Sequence, residues 1–380
     1  MNNGHVIIVR PMPNEKPSYN ALPLPLGPLY LAESLLAANY RVNIIDTDNK
    51  NAIREIEDLI SNDTLCIGIS TMSGMQLGNA IIIAKYFKTK YPGLALVWGG
   101  VHITALPHQT LQNELVDYIV WGEGEISFVR LLNSIRKKDF DSLNNIEGIG
   151  FKQNGNQVVT KNSGYTSLNK TFNLPYFLLD MDRYARKLLL GAEREFMVWT
   201  SRGCPFNCNF CFNSSTIWSN RKVRFHTVES IVADVKKLVN EYHADTIYFT
   251  DENFIFNKKR MFEILEAIRK EKIFIKFRFI SRIDTLLKLD KYSWEKLKKY
   301  GLIFVGTGIE SGSQRILDYM NKRITLEQIY KMDDLLTEFE INKGYNFMIC
   351  MPTEKKEDMR QTLRLIIDLA RNSTYCPSQV

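Results

Sequence analysis

The chain has 380 residues, 45% of them hydrophobic, and 49 Lys and Arg against 42 Asp and Glu give a formal net charge of +7. That length is long for one domain and comfortable for two, and no run of about 18 apolar residues offers a membrane span. The opening apolar run is too short for an export signal and lacks its basic flank, so a cytoplasmic protein is expected. The basic residues are spread through amphipathic stretches such as residues 294–300, WEKLKKY, so a solvated helix face accounts for them and no nucleic-acid partner is expected.

Residues 1–145 alternate strand and helix patterns. The β-branched run at residues 6–9, VIIV, predicts a buried strand, and the proline-rich stretch from Pro11 to Pro28 predicts a loop. Helix 27–38, strand 42–46, helix 52–60, strand 65–70, helix 76–90, strand 94–98, a helix near 107–113, strand 118–121 and helix 125–137 follow. Strands alternating with helices predict a doubly wound parallel sheet of Rossmann-like α/β class. Such sheets take ligands outside the carboxyl ends of their strands. Ser70, Thr71 and Ser73 stand there after the third strand, Gly99, Gly100, His102 and Thr104 after the fourth, and Gly122 and Glu123 after the fifth. Glycines admit a bulky ligand to the backbone and hydroxyls can donate to it; the same residues also suit plain tight turns.

Residues 146–151 and 157–160, parted by Asn154-Gly155-Asn156, predict a β-hairpin. A linker follows, and its aromatics near Leu174 and Pro175 are expected to pack. The expected organisation is a first domain over 1–145, hairpin and linker over 146–193, and a second domain over 194–380. In the second domain, strands at 196–200, 246–250, 275–280, 303–309 and 345–349 alternate with helices, and the expected architecture is a partial (β/α)6, TIM-like barrel.

Directly after the first of these strands, Cys204, Cys208 and Cys211 form a CxxxCxxC array. Three thiolates so close can wrap one small inorganic centre, and a lone triad leaves one corner of a four-iron cluster without a protein ligand. The alternatives fit less well. A structural zinc site wants four closed ligands, and the nearest spare candidate, His226, lies beyond the usual spacing. A disulfide suits neither an odd number nor a reducing compartment. Cys66, Cys350 and Cys376 stand alone and are expected to be unreactive thiols.

With Phe210 just before its last cysteine, the array resembles the radical S-adenosylmethionine (SAM) superfamily. The resemblance implies a [4Fe-4S] cluster on Cys204, Cys208 and Cys211. It implies SAM chelated to the open iron, whose reductive cleavage yields a 5′-deoxyadenosyl radical that takes hydrogen from an unactivated carbon. It also implies roles for polar residues at the barrel mouth: Phe210 against SAM; Asp251, Glu252 and Asn253 for its ammonium; Ser281 and Arg282 for its carboxylate; Glu310, with Ser311, for its ribose. The partners implied are a small-molecule substrate and an electron donor such as flavodoxin or ferredoxin.

In the first domain, residues 25–32 (PLGPLYLA), 99–102 (GGVH) and 122–125 (GEGE) resemble the cobalamin-binding domain found ahead of many radical SAM cores. The resemblance implies cobalamin lined by the loops at Ser70 to Ser73, Gly99 to Thr104 and Gly122 to Glu123. No DxHxxG signature is present, and His102 and His108 are candidates for the lower ligand of cobalt on chemistry alone.

Two departures stand out. Relatives usually end the sixth strand with Gly-x-Pro-Gly-Glu-Thr, where this chain has Cys350-Met-Pro-Thr353-Glu-Lys355, so the backbone is expected to approach SAM less closely. Residues 374–380 are expected to represent a core cut short at its carboxyl end. The function expected is a cobalamin-dependent radical SAM methyltransferase; a cyclase or oxidoreductase using the same cofactors, or a cofactor-binding protein without turnover, are the alternatives.

Overall fold

A fully buried run from His5 to Val9 forms an inner strand of the first sheet. In the computed structural model, residues 3–13, 22–188, 190–214 and 222–371 are described. They divide into two units, Met1–Ser167 with Phe172–Tyr184, and Leu168–Thr171 with Ala185–Val380. Part of the proline-rich loop, Cys376 and the closing segment 374–380 lie outside the described residues.

The first unit runs β1 (His5–Pro11), α1 (Leu26–Ala37), β2 (Arg41–Thr47), α2 (Asn49–Leu59), β3 (Thr64–Ser70), α3 (Met75–Lys90), β4 (Ala95–Gly99), α4 (Val101–Ala105), α5 (Pro107–Leu111), β5 (Tyr118–Val120), α6 (Gly124–Lys137), β6 (Ile149–Gln153) and β7 (Asn156–Val159). Strand order is β2-β1-β3-β4-β5-β6-β7, with β1 to β5 parallel. Winding reverses between β1 and β3, which opens a ligand crevice at their carboxyl ends. Ile7, Val9, Ile67, Ile69, Leu96 and Trp98 pack against Ile83, Ala84 and Phe87 of α3.

Two details differ from the sequence reading. The hairpin joins this sheet: β6 pairs antiparallel with β5, through Tyr118 opposite Phe151, and β7 pairs with β6. Its turn residues Asn154 and Gly155 have φ of +51° and +78°, the left-handed pair a tight hairpin needs, and it covers an otherwise open edge. The expected loop at 99–104 becomes α4 from Val101, because Gly100 turns the chain at φ +98° and Thr104 Oγ1 donates back to Gly100 O at 2.9 Å. Residues 172–184 pack on the same unit. Phe172 meets Tyr30 edge-on at 5.0 Å, and Arg183 and Tyr184 donate to Asp46, which also receives Arg10.

The second unit runs β8 (Arg186–Leu188), β9 (Ala192–Val198), β10 (Ser201–Arg202), β11 (Arg224–Phe225), α7 (Val228–Tyr242), β12 (Thr246–Phe249), α8 (Lys258–Lys270), β13 (Lys276–Ile280), α9 (Ile283–Leu286), α10 (Lys291–Tyr300), β14 (Leu302–Glu310), α11 (Gln314–Tyr319), α12 (Leu326–Glu338), β15 (Asn342–Phe347) and α13 (Lys356–Arg371). Its main sheet is ordered β15-β14-β13-β12-β9-β8. Strands β9, β12, β13, β14 and β15 are parallel and curl into a partial barrel. The sixth strand is β8, antiparallel to β9, so among the described residues five βα units and one reversed strand stand where six units are expected.

Low on this sheet Arg278 of β13 makes a two-pronged pair with Glu195 of β9, with Nη2 donating to Oε1 at 2.8 Å. The guanidinium lies 3.6 Å from the Tyr248 ring centroid. Both charged side chains are almost fully enclosed, at 9% and 1% exposure, so each depends on the other for its solvation.

Candidate functional site

The cysteine loop leaves β9 through Thr200 and Ser201, and a buried carboxylate fixes its departure. Asp251, just past β12, accepts from Thr200 N at 3.1 Å, Thr200 Oγ1 at 3.0 Å and Ser201 Oγ at 2.5 Å. Burial dominates over these donors and pushes its carboxyl up to about 7. Gly203 follows at φ +94°, where a Cβ would come within 2.5 Å of Lys222 O. Only glycine lets the two ends of the cluster loop approach so closely.

From the other side, the turn after α11 grips the loop. Asn209 N donates to Met320 O at 2.9 Å, Asn209 Nδ2 to Tyr319 O at 2.8 Å, and Asn321 Nδ2 to Asn207 O at 2.6 Å. Cys204, Cys208 and Cys211 are not joined in disulfides, and Cys208 is the most buried of them. Burial raises the Cys204 thiol, opposed by the Phe206 N–H and by Arg282. Among the described residues no three His, Cys, Asp or Glu side chains converge on one metal ion. A four-iron cluster takes each thiolate on a different iron and needs no such convergence.

Arg282, beyond β13, reaches this loop. Its Nη1 donates to Cys208 Sγ at 3.3 Å and its plane lies 3.8 Å from the Phe206 ring centroid. Asn253 Oδ1 accepts from Ser281 Oγ and from Arg282 N at 3.5 Å, while its Nδ2 donates to Thr285 Oγ1 at 3.1 Å. Glu310 ends β14 at φ +74°, beside a bulge in the pairing with β15. Its Oε1 accepts from Lys322 Nζ at 2.7 Å, and Lys322 Nζ stands 5.7 Å from the Phe210 ring centroid.

The structure therefore draws Cys208, Arg282, Ser281 and Asn253 into one hydrogen-bonded group, and Glu310, Lys322 and Phe210 into a second. Asp251 and Ser311 are turned into the scaffold: the Ser311 and Thr362 hydroxyls share a hydrogen bond at 3.2 Å and Ser311 Oγ accepts from Ser313 N. Glu252 is exposed and accepts from Asn213 Nδ2 at 3.2 Å. His226 is buried, and burial with Arg202, Arg260 and Arg224 nearby depresses it to about 3. Lys322, Asp284 and Asn321 went unnoticed in the sequence, where residues 320–323, MNKR, carry no spacing signal.

At the end of β15, Cys350 and Thr353 have φ of +63° and +71°. These are the two positions at which the pattern expected from the resemblance has glycine. The backbone keeps the glycine-type path although both residues bear a Cβ.

In the first unit, the loops after β3, β4 and β5 are tied together. Thr71 N donates to Gly99 O at 3.0 Å, Gly122 N to Thr104 Oγ1 at 3.0 Å, and Ser73 Oγ shares a hydrogen bond with His102 Nδ1 at 2.9 Å. Burial lowers the pKa of His102. Glu123 is engaged, accepting from Thr166 N at 2.7 Å, Ser70 is half-buried, and His108 is exposed on α5. A Cβ on Gly100 would meet Thr71 O at 2.6 Å, so that glycine is required by loop packing. Met72, Met75, Val101 and Leu106 on the same loops are exposed. Beside Gly122, the buried donors Trp121 Nε1 and Asn162 Nδ2 have no partner among the described residues. Apolar side chains with spare donors fit a macrocycle rimmed by amide groups.

Comparison with known proteins agrees with both halves. Residues 199–366 match the Radical SAM superfamily and residues 19–132 the B12 binding domain. The chain is 32% identical over 365 residues to an uncharacterised methyltransferase of Pyrococcus horikoshii, covering 93% of this chain and 76% of that protein. It is 28% identical over 294 residues to the anaerobic magnesium-protoporphyrin IX monomethyl ester cyclase of Cereibacter sphaeroides, covering 75% of this chain but only 47% of that protein. The fold superposes on the radical SAM methyltransferase TsrM from Kitasatospora setae with a TM-score of 0.74 at 16% identity, covering 100% of this chain and 72% of that one. The chain belongs to the radical SAM superfamily, in the group that carries an amino-terminal B12-binding domain. It is an enzyme of that class, whose cofactors are a [4Fe-4S] cluster, SAM and cobalamin. Among the described residues no helix is long and apolar enough to cross a membrane.

Proposed function

We propose that the chain transfers a methyl group to an unactivated carbon of a small-molecule substrate. The observation that carries the reading is the pairing, in one chain, of a thiol triad without disulfides, its Cys208 bound by Arg282, with a B12-binding sheet. Similarity to a methyltransferase over 93% of the chain supports it. When bound, the cluster with SAM supplies hydrogen-atom abstraction and cobalamin supplies methyl transfer.

The chain's own residues bind and orient. Cys204, Cys208 and Cys211 hold the cluster. Glu310, fixed by Lys322, is set to accept from ribose hydroxyls. Glu252, the exposed carboxylate of its group, offers an acceptor to an ammonium, while Asp251 and Asn253 hold the strand ends in place. Ser70, Thr71, Ser73, Gly99, Gly100, His102, Thr104, Gly122 and Glu123 are the candidates around cobalamin. The reductant is a low-potential donor of the flavodoxin or ferredoxin kind.

Anaerobic reconstitution with iron, sulfide and hydroxocobalamin, then incubation with SAM, reductant and a panel of candidate acceptors, tests the reading. Equal yields of S-adenosylhomocysteine and 5′-deoxyadenosine, with a product heavier by one CH₂, are expected. Deoxyadenosine alone, with product mass unchanged or lowered, would replace methyl transfer with cyclisation or oxidation, the alternative favoured by similarity to the cyclase.

A further inference from the structure

Arg282 is committed before any ligand arrives. Nε donates to Asp284 Oδ1 at 2.9 Å, Nη2 to Asp284 Oδ2 at 3.2 Å and to Lys322 O at 2.6 Å, and Nη1 to Cys208 Sγ at 3.3 Å. A guanidinium has five N–H groups, so one remains. The side chain is 8% exposed, and Phe206 covers one face of its plane. Asp284 faces it two-pronged, which locks the fork so that the donor to sulfur cannot swing away.

We infer that Arg282 is a positioning residue for the cluster, holding Cys208 and raising the cluster's reduction potential through its hydrogen bond to Sγ, and that it is not the cation for the SAM carboxylate. The inference rests on the family reading of the three cysteines. One-electron reduction adds negative charge to the cluster, and part of it resides on the ligating sulfurs. A cation donating to one of those sulfurs, out of water, stabilises the reduced form more than the oxidised form. Hydrogen bonds that fix and tune a metal's ligands act in this way generally. With one N–H left, a carboxylate could take only a single hydrogen bond from Arg282; a two-pronged grip would have to displace Asp284, the Lys322 carbonyl or the sulfur.

The test uses the reconstituted full chain and the variants Arg282→Lys and Arg282→Gln, without substrate. Iron and sulfide are counted first, the potential is then read by a redox titration followed by electron paramagnetic resonance, and SAM affinity is measured by equilibrium dialysis. The expected result is a cluster in wild type and variants. In Arg282→Gln the reduction equilibrium should fall by about tenfold, a shift of about 59 mV to more negative potential for one electron. Arg282→Lys, which keeps charge but loses the fork, should fall between, and SAM affinity should stay within about twofold in both.

Equal potentials with SAM affinity falling more than about tenfold in both variants would overturn the inference and make Arg282 the carboxylate partner. Should Arg282→Gln fail to assemble a cluster, the potential of Arg282→Lys decides alone; no shift there overturns it. A wild-type chain that binds no four-iron cluster removes the family reading of the cysteines, and this inference with it, whereas equal potentials remove this inference only.

Discussion

Lys322 Nζ stands 2.7 Å from Glu310 Oε1, and the two side chains keep only 7% and 10% of their exposure. Glu310 sits at φ +74°, so its backbone and its carboxylate are both held in an uncommon setting. Breaking this pair should be expensive. Lys322→Met would leave a buried carboxylate without its cation, at a cost of about 3–5 kcal/mol, measurable by denaturant unfolding. On the proposed role of Glu310, SAM affinity should also fall by about tenfold, and Lys322→Arg should restore much of both. Unaltered stability in Lys322→Met would show that the pair is not formed.

Asp251 makes stability pH-dependent. Its folded carboxyl titrates near 7 and its ordinary value is 3.8, so between those limits the folded chain holds a proton that the unfolded chain has lost. The contribution is complete below about 3.8 and is lost as pH rises through about 7. Asp251→Asn keeps an acceptor for Thr200 and Ser201 and should flatten that dependence. Asp251→Ala should cost about 1–3 kcal/mol through unpaired buried donors and lower the iron bound per chain. Denaturation midpoints at several pH values, with iron counted alongside, check both. Identical pH profiles for wild type and Asp251→Asn would contradict the assignment.

Thr353 is β-branched and lies at φ +71°, where L-residues other than Asn and Asp rarely stay. The left-handed conformation costs about 1–2 kcal/mol for a residue with a Cβ. Glycine adds unfolded-state freedom worth about 0.4–1 kcal/mol against this. Thr353→Gly should therefore stabilise the protein by up to about 1.5 kcal/mol. Cys350→Gly should gain less, because its side chain is not branched. Thermal melting of the single variants checks the order; destabilisation by Thr353→Gly would show that the threonine side chain makes contacts that outweigh its strain.

Glu195 and Arg278 should be strongly coupled. Arg278→Met strands the Glu195 carboxylate in a site with 1% exposure and should cost about 3–5 kcal/mol. Adding Glu195→Gln should recover a large part of that loss, since the pair's worth lies mostly in avoiding an unpaired charge. A double-mutant cycle by urea unfolding reads the coupling; additive effects of the two substitutions would argue against it.

The alternation of strand and helix, the cysteine spacing and the polar residues at strand ends were legible in the sequence because each is a local pattern. Apolar periodicity and turn chemistry report on neighbours within a few residues, and three thiols within eight positions must share one loop. The hairpin was legible as a hairpin, but its place was not. That β6 would add to β5, and that β8 would run antiparallel beside β9, depend on which strand edges remain open once the sheets have formed.

The residue types at the barrel mouth were visible in the chain, but their partners were decided only by the fold. Arg282 reaches Cys208 across 74 positions, Asp251 reaches Thr200 across 51, and the third member of the Glu310 group, Lys322, belongs to no motif. The sequence by itself determined that the chain would build two α/β units and bear a thiol triad on the loop after a strand, since those follow from period and spacing. Only the tertiary structure decided that the guanidinium goes to sulfur and Asp251 goes to the scaffold. A buried polar group must take whichever partner the register brings within about 3 Å, and register is set by packing far along the chain.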